Sequence, residues 1–262
     1  MSLTSIAQYT ALAYRQIFSL AQKVKGVRYR TVATPLLTNK HILLLVRADN
    51  EPIAETLSAK LKDLGGKVKL KYFSAISHES KLLENISFSS VFTIGCSHST
   101  TLEIAERSHA PVINVCSSKH SPVHVLADIF SVYEKRGFNF KDVSFCWHGL
   151  SENSAHSWLE AANVLGFKLS VVPTPTMHLD PDILSSCQQC NHERIFLSKS
   201  LTDADVTINE TTGPNSKRLS LSRKVGDSLS NRSKGRDVTG DGVEFWDNEL
   251  CILLAMMIWA QE

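Results

Sequence analysis

Two groups of residues in this sequence have types and spacings that could do chemistry. The first is Cys187-Gln-Gln-Cys190, with His192 just beyond it. Two thiols at this spacing beside an imidazole make half of a zinc site, or a redox pair. A structural zinc needs four ligands, and the chain has no second Cys-x-x-Cys; His178 is the residue that could complete the set. The plainer reading is two free thiols near a helix end. The second group is rich in histidine. His120 and His124 flank Pro122, and His148 and His156 lie further along. Four imidazoles meeting in one cleft would suit acid–base work or a metal; strand-end and helix-cap roles are the plainer account. No G-x-S-x-G, G-x-x-x-x-G-K-[ST] or G-x-G-x-x-G pattern occurs, which excludes the usual nucleophile-elbow and nucleotide-loop signatures. The expectation is no metal and no cofactor.

These residues sit between segments of alternating strand and helix character. Residues 42–46 form a continuous apolar run, as in a strand covered on both faces. Residues 52–64 carry apolar groups at helical spacing (Ile53, Leu57, Leu61, Leu64) and stop at Gly65-Gly66. Strands are expected at 67–73, 91–94 and 112–115, with a helix at 100–108. Residues 122–135 form a strong helix pattern opened by Pro122. The alternation restarts with strands at 143–147, 169–172, 195–197 and 206–208 and a helix at 153–165 closed by Gly166. Such an order implies a largely parallel sheet with helices on both faces. A split near Gly137 gives two α/β units: 1–136, with the apolar helix 248–260 packing back on it, and 137–247. The stretch 211–242 is rich in Ser, Gly, Asn and basic residues and reads as a flexible loop.

The chain has 262 residues, enough to bury a large core. Its 28 Lys and Arg nearly balance 26 Asp and Glu, for a net charge of +2, which argues against a dedicated nucleic-acid binder. No apolar run reaches the length of a membrane span. The six cysteines are scattered and read as reduced thiols. No Asp or Glu precedes Asp49, whereas Arg15, Lys23, Lys25, Arg28 and Arg30 do. With apolar residues at Leu3, Ile6, Ala13, Ile17, Leu20 and Val24, this stretch suits either a mitochondrial targeting segment or an ordinary first helix. The expected location is mitochondrial, otherwise cytoplasmic.

Three motifs in one gapless register give the chain a family likeness. Pro111-Val112-Ile113-Asn114 resembles a PVIN strand. Ser121-Pro122-Val123-His124 followed by Val125-Leu126-Ala127-Asp128 resembles an HPxQxLAD helix start. Residues 147–157, WHGLSENSAHS, resemble WxGDGNNxxHS. Together they resemble the aspartate/ornithine carbamoyltransferase family, specifically its ornithine branch. The resemblance implies two doubly wound parallel-sheet domains of the carbamoyltransferase type. Carbamoyl phosphate would bind the first, an amino acid the second, with the site at a trimer interface. The chemistry is attack of an amine on the carbamoyl carbon with loss of phosphate. It requires cations and helix-end amides on the phosphate and donors on the carbonyl oxygen.

Position by position, that machinery is largely replaced. The family's STRTR phosphate signature reads Asn50, Glu51, Pro52, Ile53 and Ala54. The next phosphate arginine aligns with Ile94, and the arginine at the closing helix aligns with Glu249. The HPxQ positions read Ser121, Pro122 and His124, a vestigial carbamoyl pocket. The second Asn of GDGNN, which holds the amino acid, is matched by Asn153, while the preceding Asp is Leu150. Glu210 stands near the position of a downstream Asp, and no HCLP tetrapeptide exists. Charge-assisted contacts to phosphate contribute about 1.5–3 kcal/mol each. Losing four would abolish useful binding unless Arg47, Lys119 or the basic stretch rebuilds the cradle. The expectation is therefore a catalytically degenerate homologue with a structural, assembly or regulatory role, as a homotrimer or a subunit of a larger assembly. The alternatives are a divergent active enzyme making citrulline, and an amino-acid sensor working through Asn153.

Overall fold

The structure is a computed structural model and describes residues 1–30, 36–73, 88–191, 193–210, 218–221, 236–237 and 242–261. Two sheets, each with four parallel strands and flanking helices, make up the fold, and the second carries two further strands. The first comprises β1 (His41–Arg47), β2 (Lys67–Phe73), β3 (Ser90–Cys96) and β4 (Val112–Ser117), in the order β2-β1-β3-β4. In β1 each residue from 42 to 46 is at most 1% exposed, so the apolar run is covered on both faces. The second sheet holds β5 (Ser144–Gly149), β6 (Lys168–Pro173), β7 (Ile195–Leu197) and β8 (Val206–Glu210), with β5 between β8 and β6.

Helices α1 (Ala11–Arg30), α2 (Glu51–Asp63), α3 (His98–Arg107), α4 (Pro122–Arg136), α5 (Glu152–Leu165) and α6 (Pro181–Asn191) connect and cover the strands. Their ends follow local chemistry. Pro122 opens α4, where a missing N–H costs nothing. Ser97 caps α3 through its Oγ, which accepts from Thr100 N at 3.1 Å. Gly166, at φ 76°, takes the left-handed turn that ends α5. The closing helix α7 spans Gly242–Trp259, starting six residues before the 248 expected from its apolar run.

One core spans both sheets. An aromatic chain links them: Phe18 lies 6.4 Å from Phe140, Phe140 lies 6.4 Å from Phe167, and Phe167 lies 4.4 Å from Phe145. The acid-poor N-terminal stretch belongs to this core. In α1 Tyr14, Ile17, Phe18 and Ala21 are fully buried, and Leu3 adds to the edge of β4 by donating to Val112 O and accepting from Asn114 N. Of the two readings of this stretch, the structure has the domain helix; removing it would strip the core. Part of the stretch 211–242 is described. Among the described residues, β9 (Arg218–Leu221) and β10 (Arg236–Asp237) extend the second sheet antiparallel beyond β8. The Leu219/Leu221 alternation that forms β9 is too short to stand out in a Ser- and Asn-rich context. The remainder of 211–242 lies outside the described residues. No described helix is long and apolar enough to cross a membrane.

Phe18 touches the rings of Phe130, Tyr133, Phe138 and Phe140 where helix α1 meets the rest of the core. Phe18→Ala is expected to cost about 3–5 kcal/mol in urea unfolding. A loss under about 1 kcal/mol would mean that α1 is not part of the cooperative core.

Candidate functional site

In parallel α/β sheets the crevice at the carboxyl ends of the strands is where ligands bind. Here it is bordered by the 50–54 turn after β1, the end of β3, the 117–124 loop after β4, the 149–153 turn after β5, and Glu210 at the end of β8. The phosphate positions lie at the first-sheet side and are not set up for an anion. Ala54 and Ile94 are fully buried in the apolar core, and Ile53 packs against it. Glu51 and Pro52 are exposed at the start of α2. Asn50 fits tightly against a glycine near the end of β3: a Cβ on Gly95, which has φ 74°, would lie 2.1 Å from Asn50 Nδ2.

The remaining two positions, 124 and 249, meet. The His124 imidazole donates from Nδ1 to Glu249 Oε1, joining α4 to α7 across 125 residues of sequence. The Glu249 side chain is 4% exposed and that of His124 20%. Burial alone would lower the imidazole pKa. The Glu249 carboxylate, aided by side-chain hydrogen bonds to Cys116 and Glu249, instead carries it up to about 10. His124 is thus an imidazolium at neutral pH, held against a buried carboxylate.

Behind this pair lies a histidine cluster. The rings of His98 and His120 are 4.5 Å apart, and those of His120 and His156 6.4 Å. Glu160 accepts from Ile6 N at 2.9 Å and sits 3.4 Å from His120 Nδ1, which makes no hydrogen bond of good geometry. Burial, with His120 and Lys119 nearby, lowers the His98 pKa to about 4. Burial also lowers that of His156, which accepts from Asp180 N at Nε2 (2.8 Å) and so donates from Nδ1 to Lys119 O (3.0 Å). Both shifts favour the neutral form of His98 and His156. His148 sits part-way exposed on β5, away from these contacts.

The amino-acid side is also occupied by internal bonds. Asn153 donates from Nδ2 to Ser117 O at 2.8 Å, tying the second sheet to the first, and its Oδ1 accepts from Ser151 Oγ. Ser121 is buried, and its N–H donates to Ser157 Oγ at 2.8 Å. Glu210 accepts from Ser154 Oγ at 3.0 Å. Gly149 allows this approach, since a Cβ there would lie 2.9 Å from Glu210 Cβ. Of the cations that could rebuild a phosphate cradle, Lys119 is paired with Asp180 at 2.7 Å, and Arg47 with Asp49 at 3.1 Å. The Lys119 hydrogen bond holds the Asp180 carboxyl down at about 2.

The Cys-x-x-Cys pair lies on α6. Cys187 is buried and its thiol is pushed up to about 12 by burial, while Cys190 is exposed. His192 lies outside the described residues. Among the described residues no group of three His, Cys, Asp or Glu side chains is placed to hold a metal ion. Sequence reasoning singled out His124 and Glu249 separately and missed that they pair. It missed His98 and Glu160 altogether.

No family model matches the chain. It is 28% identical over 202 residues to an ornithine carbamoyltransferase from Archaeoglobus fulgidus, covering 73% of this chain and 65% of the relative. It is 26% identical over 193 residues to one from Desulfotalea psychrophila, covering 71% and 63%. The matched region thus spans just under two thirds of these relatives. A crystal structure of ornithine carbamoyltransferase from Burkholderia thailandensis superposes with a TM-score of 0.76 at 17% identity, covering 99% of this chain and 98% of that one. The chain is homologous to ornithine carbamoyltransferases and has the carbamoyltransferase fold.

The charged pair gives a pH signature. The folded-state pKa of His124 is raised, so its contribution is fully present below about 6.5 and is lost as pH rises through about 10. The folded-state pKa of His98 is lowered, so its contribution is present above about 6.5 and lost as pH falls through about 4. Unfolding free energy should therefore decline on both sides of neutrality. Glu249→Ala, which leaves the imidazolium unpaired, should cost about 3–5 kcal/mol near pH 7. It should also flatten the alkaline decline. Stability that is level between pH 7 and 10 in the unmodified chain would rule out the charged pair.

Proposed function

We propose that this chain has kept the carbamoyltransferase fold without carbamoyl transfer, and serves a structural, assembly or regulatory role. The observation that carries this reading is the His124–Glu249 ion pair. The resemblance assigns those two positions to a carbamoyl donor and a phosphate arginine. A carboxylate buried there repels a phosphate by several kcal/mol-scale terms in a partly dry site, and it already holds the nearest imidazolium. Ala54 and Ile94, buried in the core, add to the same conclusion, since recovering an arginine at either place would mean burying a charge.

The amino-acid sensor is the weaker reading. The polar atoms of Asn153 are spent on Ser117 and Ser151, so a ligand would have to displace both. A divergent transferase would need Lys119 and Arg47 released from their carboxylates. The domain division at 136/137, with α7 returning to the first unit, is part of the proposal. So are assembly as a homotrimer or within a larger complex, and mitochondrial residence.

Calorimetry with carbamoyl phosphate and then ornithine, with citrulline assayed in the same samples, tests the reading. The expected outcome is no heat of binding at millimolar carbamoyl phosphate and no citrulline. Micromolar binding with turnover would overturn it. Ornithine binding without turnover would favour the sensor.

A further inference from the structure

Helix α7 loses its cover at its last turn. Leu254 and Met257 are buried, but Ile258 is 37% exposed. Beside it lies a cavity of about 290 Å³ between α1, α7 and the 36–40 turn that precedes β1. Its apolar lining is Val24 from α1, Leu36 and Leu37 from the turn, and Leu254, Met257 and Ile258 from α7; its polar lining is Lys40 and Gln261. The turn that carries Lys40 is fixed by its backbone. Asn39 takes a left-handed φ of 61°, Lys40 N donates to Leu37 O at 2.9 Å, and Lys67 N donates to Lys40 O at 2.9 Å. The ammonium is held as well. Lys40 Nζ donates to Gln261 Oε1 at 2.7 Å, and Gln261 Nε2 donates to Ser89 O at 3.1 Å. That hydrogen bond uses one of the three ammonium donors. Lys119, Arg47 and Lys25 each pair with a carboxylate. Among the described residues Lys40 does not, and it is half-buried.

We propose that this cavity is a binding site for a free medium-chain carboxylic acid, with the acyl chain against α1 and α7 and the carboxylate on Lys40. The apolar lining takes the chain, because each methylene moved out of water favours binding. The volume is about twice that of a void that holds one benzene, enough for a single acyl chain. The head group follows from the charge. One cation without a carboxylate partner matches one negative charge, and a charge-assisted hydrogen bond to a carboxylate fills a donor that the protein leaves open. Gln261 positions the ammonium before the ligand arrives, so little side-chain freedom is lost on binding. None of the lining residues borders the crevice, so the proposal holds whether or not the chain transfers carbamoyl groups.

The test is calorimetric titration of the full folded chain at pH 7 with hexanoate, octanoate and decanoate, and with octan-1-ol as the uncharged counterpart of octanoate. Saturation at one molecule per chain is expected, with affinity rising roughly three- to four-fold per added methylene. Octanoate should bind at least about five-fold tighter than octan-1-ol. In Lys40→Met the acid and the alcohol should bind equally, while the gain per methylene remains. Ile258→Trp, which fills the cavity from its exposed side, should abolish binding of all four, circular dichroism first confirming the fold. No saturation by decanoate at millimolar concentration would overturn the proposal. Equal affinity of octanoate and octan-1-ol in the unmodified chain would overturn it too, and neither comparison needs a variant to fold. Undiminished decanoate binding in a folded Ile258→Trp chain would place the ligand elsewhere and sink the assignment.

Discussion

Helix α7 has no solvent side along most of its length. Every residue from Leu250 to Met257 is at most 2% exposed. A helix that is apolar all round must be covered all round. The cover comes from α1 at the other end of the chain, from α4, and from the end of β4. This constraint draws the two ends of the sequence together and fixes where the first turns of α7 lie. Lys25 on α1 bridges Glu134 on α4 at 2.8 Å and Asn248 on α7 at 2.9 Å, so a polar rim closes the three-helix contact. Position 249 is thereby delivered to the start of α4, whatever residue stands there.

With glutamate at 249 the delivery has an electrostatic consequence. A carboxylate 4% exposed needs a partner, because desolvation of a lone charge exceeds what the fold can absorb. His124 supplies it and becomes a cation in turn. The crevice then neutralises itself. Further out, Lys119 and Arg47 are neutralised by Asp180 and Asp49. An anion-binding cleft requires the opposite, cations held without carboxylate partners until the ligand arrives. The same internal completion occurs on the second sheet, where Asn153 closes onto Ser117 and Glu210 onto Ser154. The Asn153 bond, which could orient a ligand here, instead holds the two sheets together.

Much of the fold was legible in the sequence because its signals are local. The apolar run at 42–46, the Pro122 helix start and the Gly166 stop each depend on a few adjacent residues, and each appears in the structure where the pattern put it. The three motifs around 111–157 were legible for the same reason: they are contiguous. The segment 211–242 was not. A four-residue strand such as β9 is held by pairing with β8 rather than by a period of its own. The N-terminal stretch read two ways because its composition suits both, and only its burial against the aromatic chain separates them.

The sequence by itself determined the residue types at each family position: no arginine at 52, 54, 94 or 249, a histidine at 124, an asparagine at 153. It thereby determined what the crevice lacks. What the crevice holds instead was decided by tertiary structure. Residues 124 and 249 are 125 apart in sequence, and no local pattern relates them. Their pairing and the charge it places on the imidazole follow from the packing of α7 against α4 and β4. Protonation depends on solvent exclusion and on neighbours in space, and both exist only once the chain has folded.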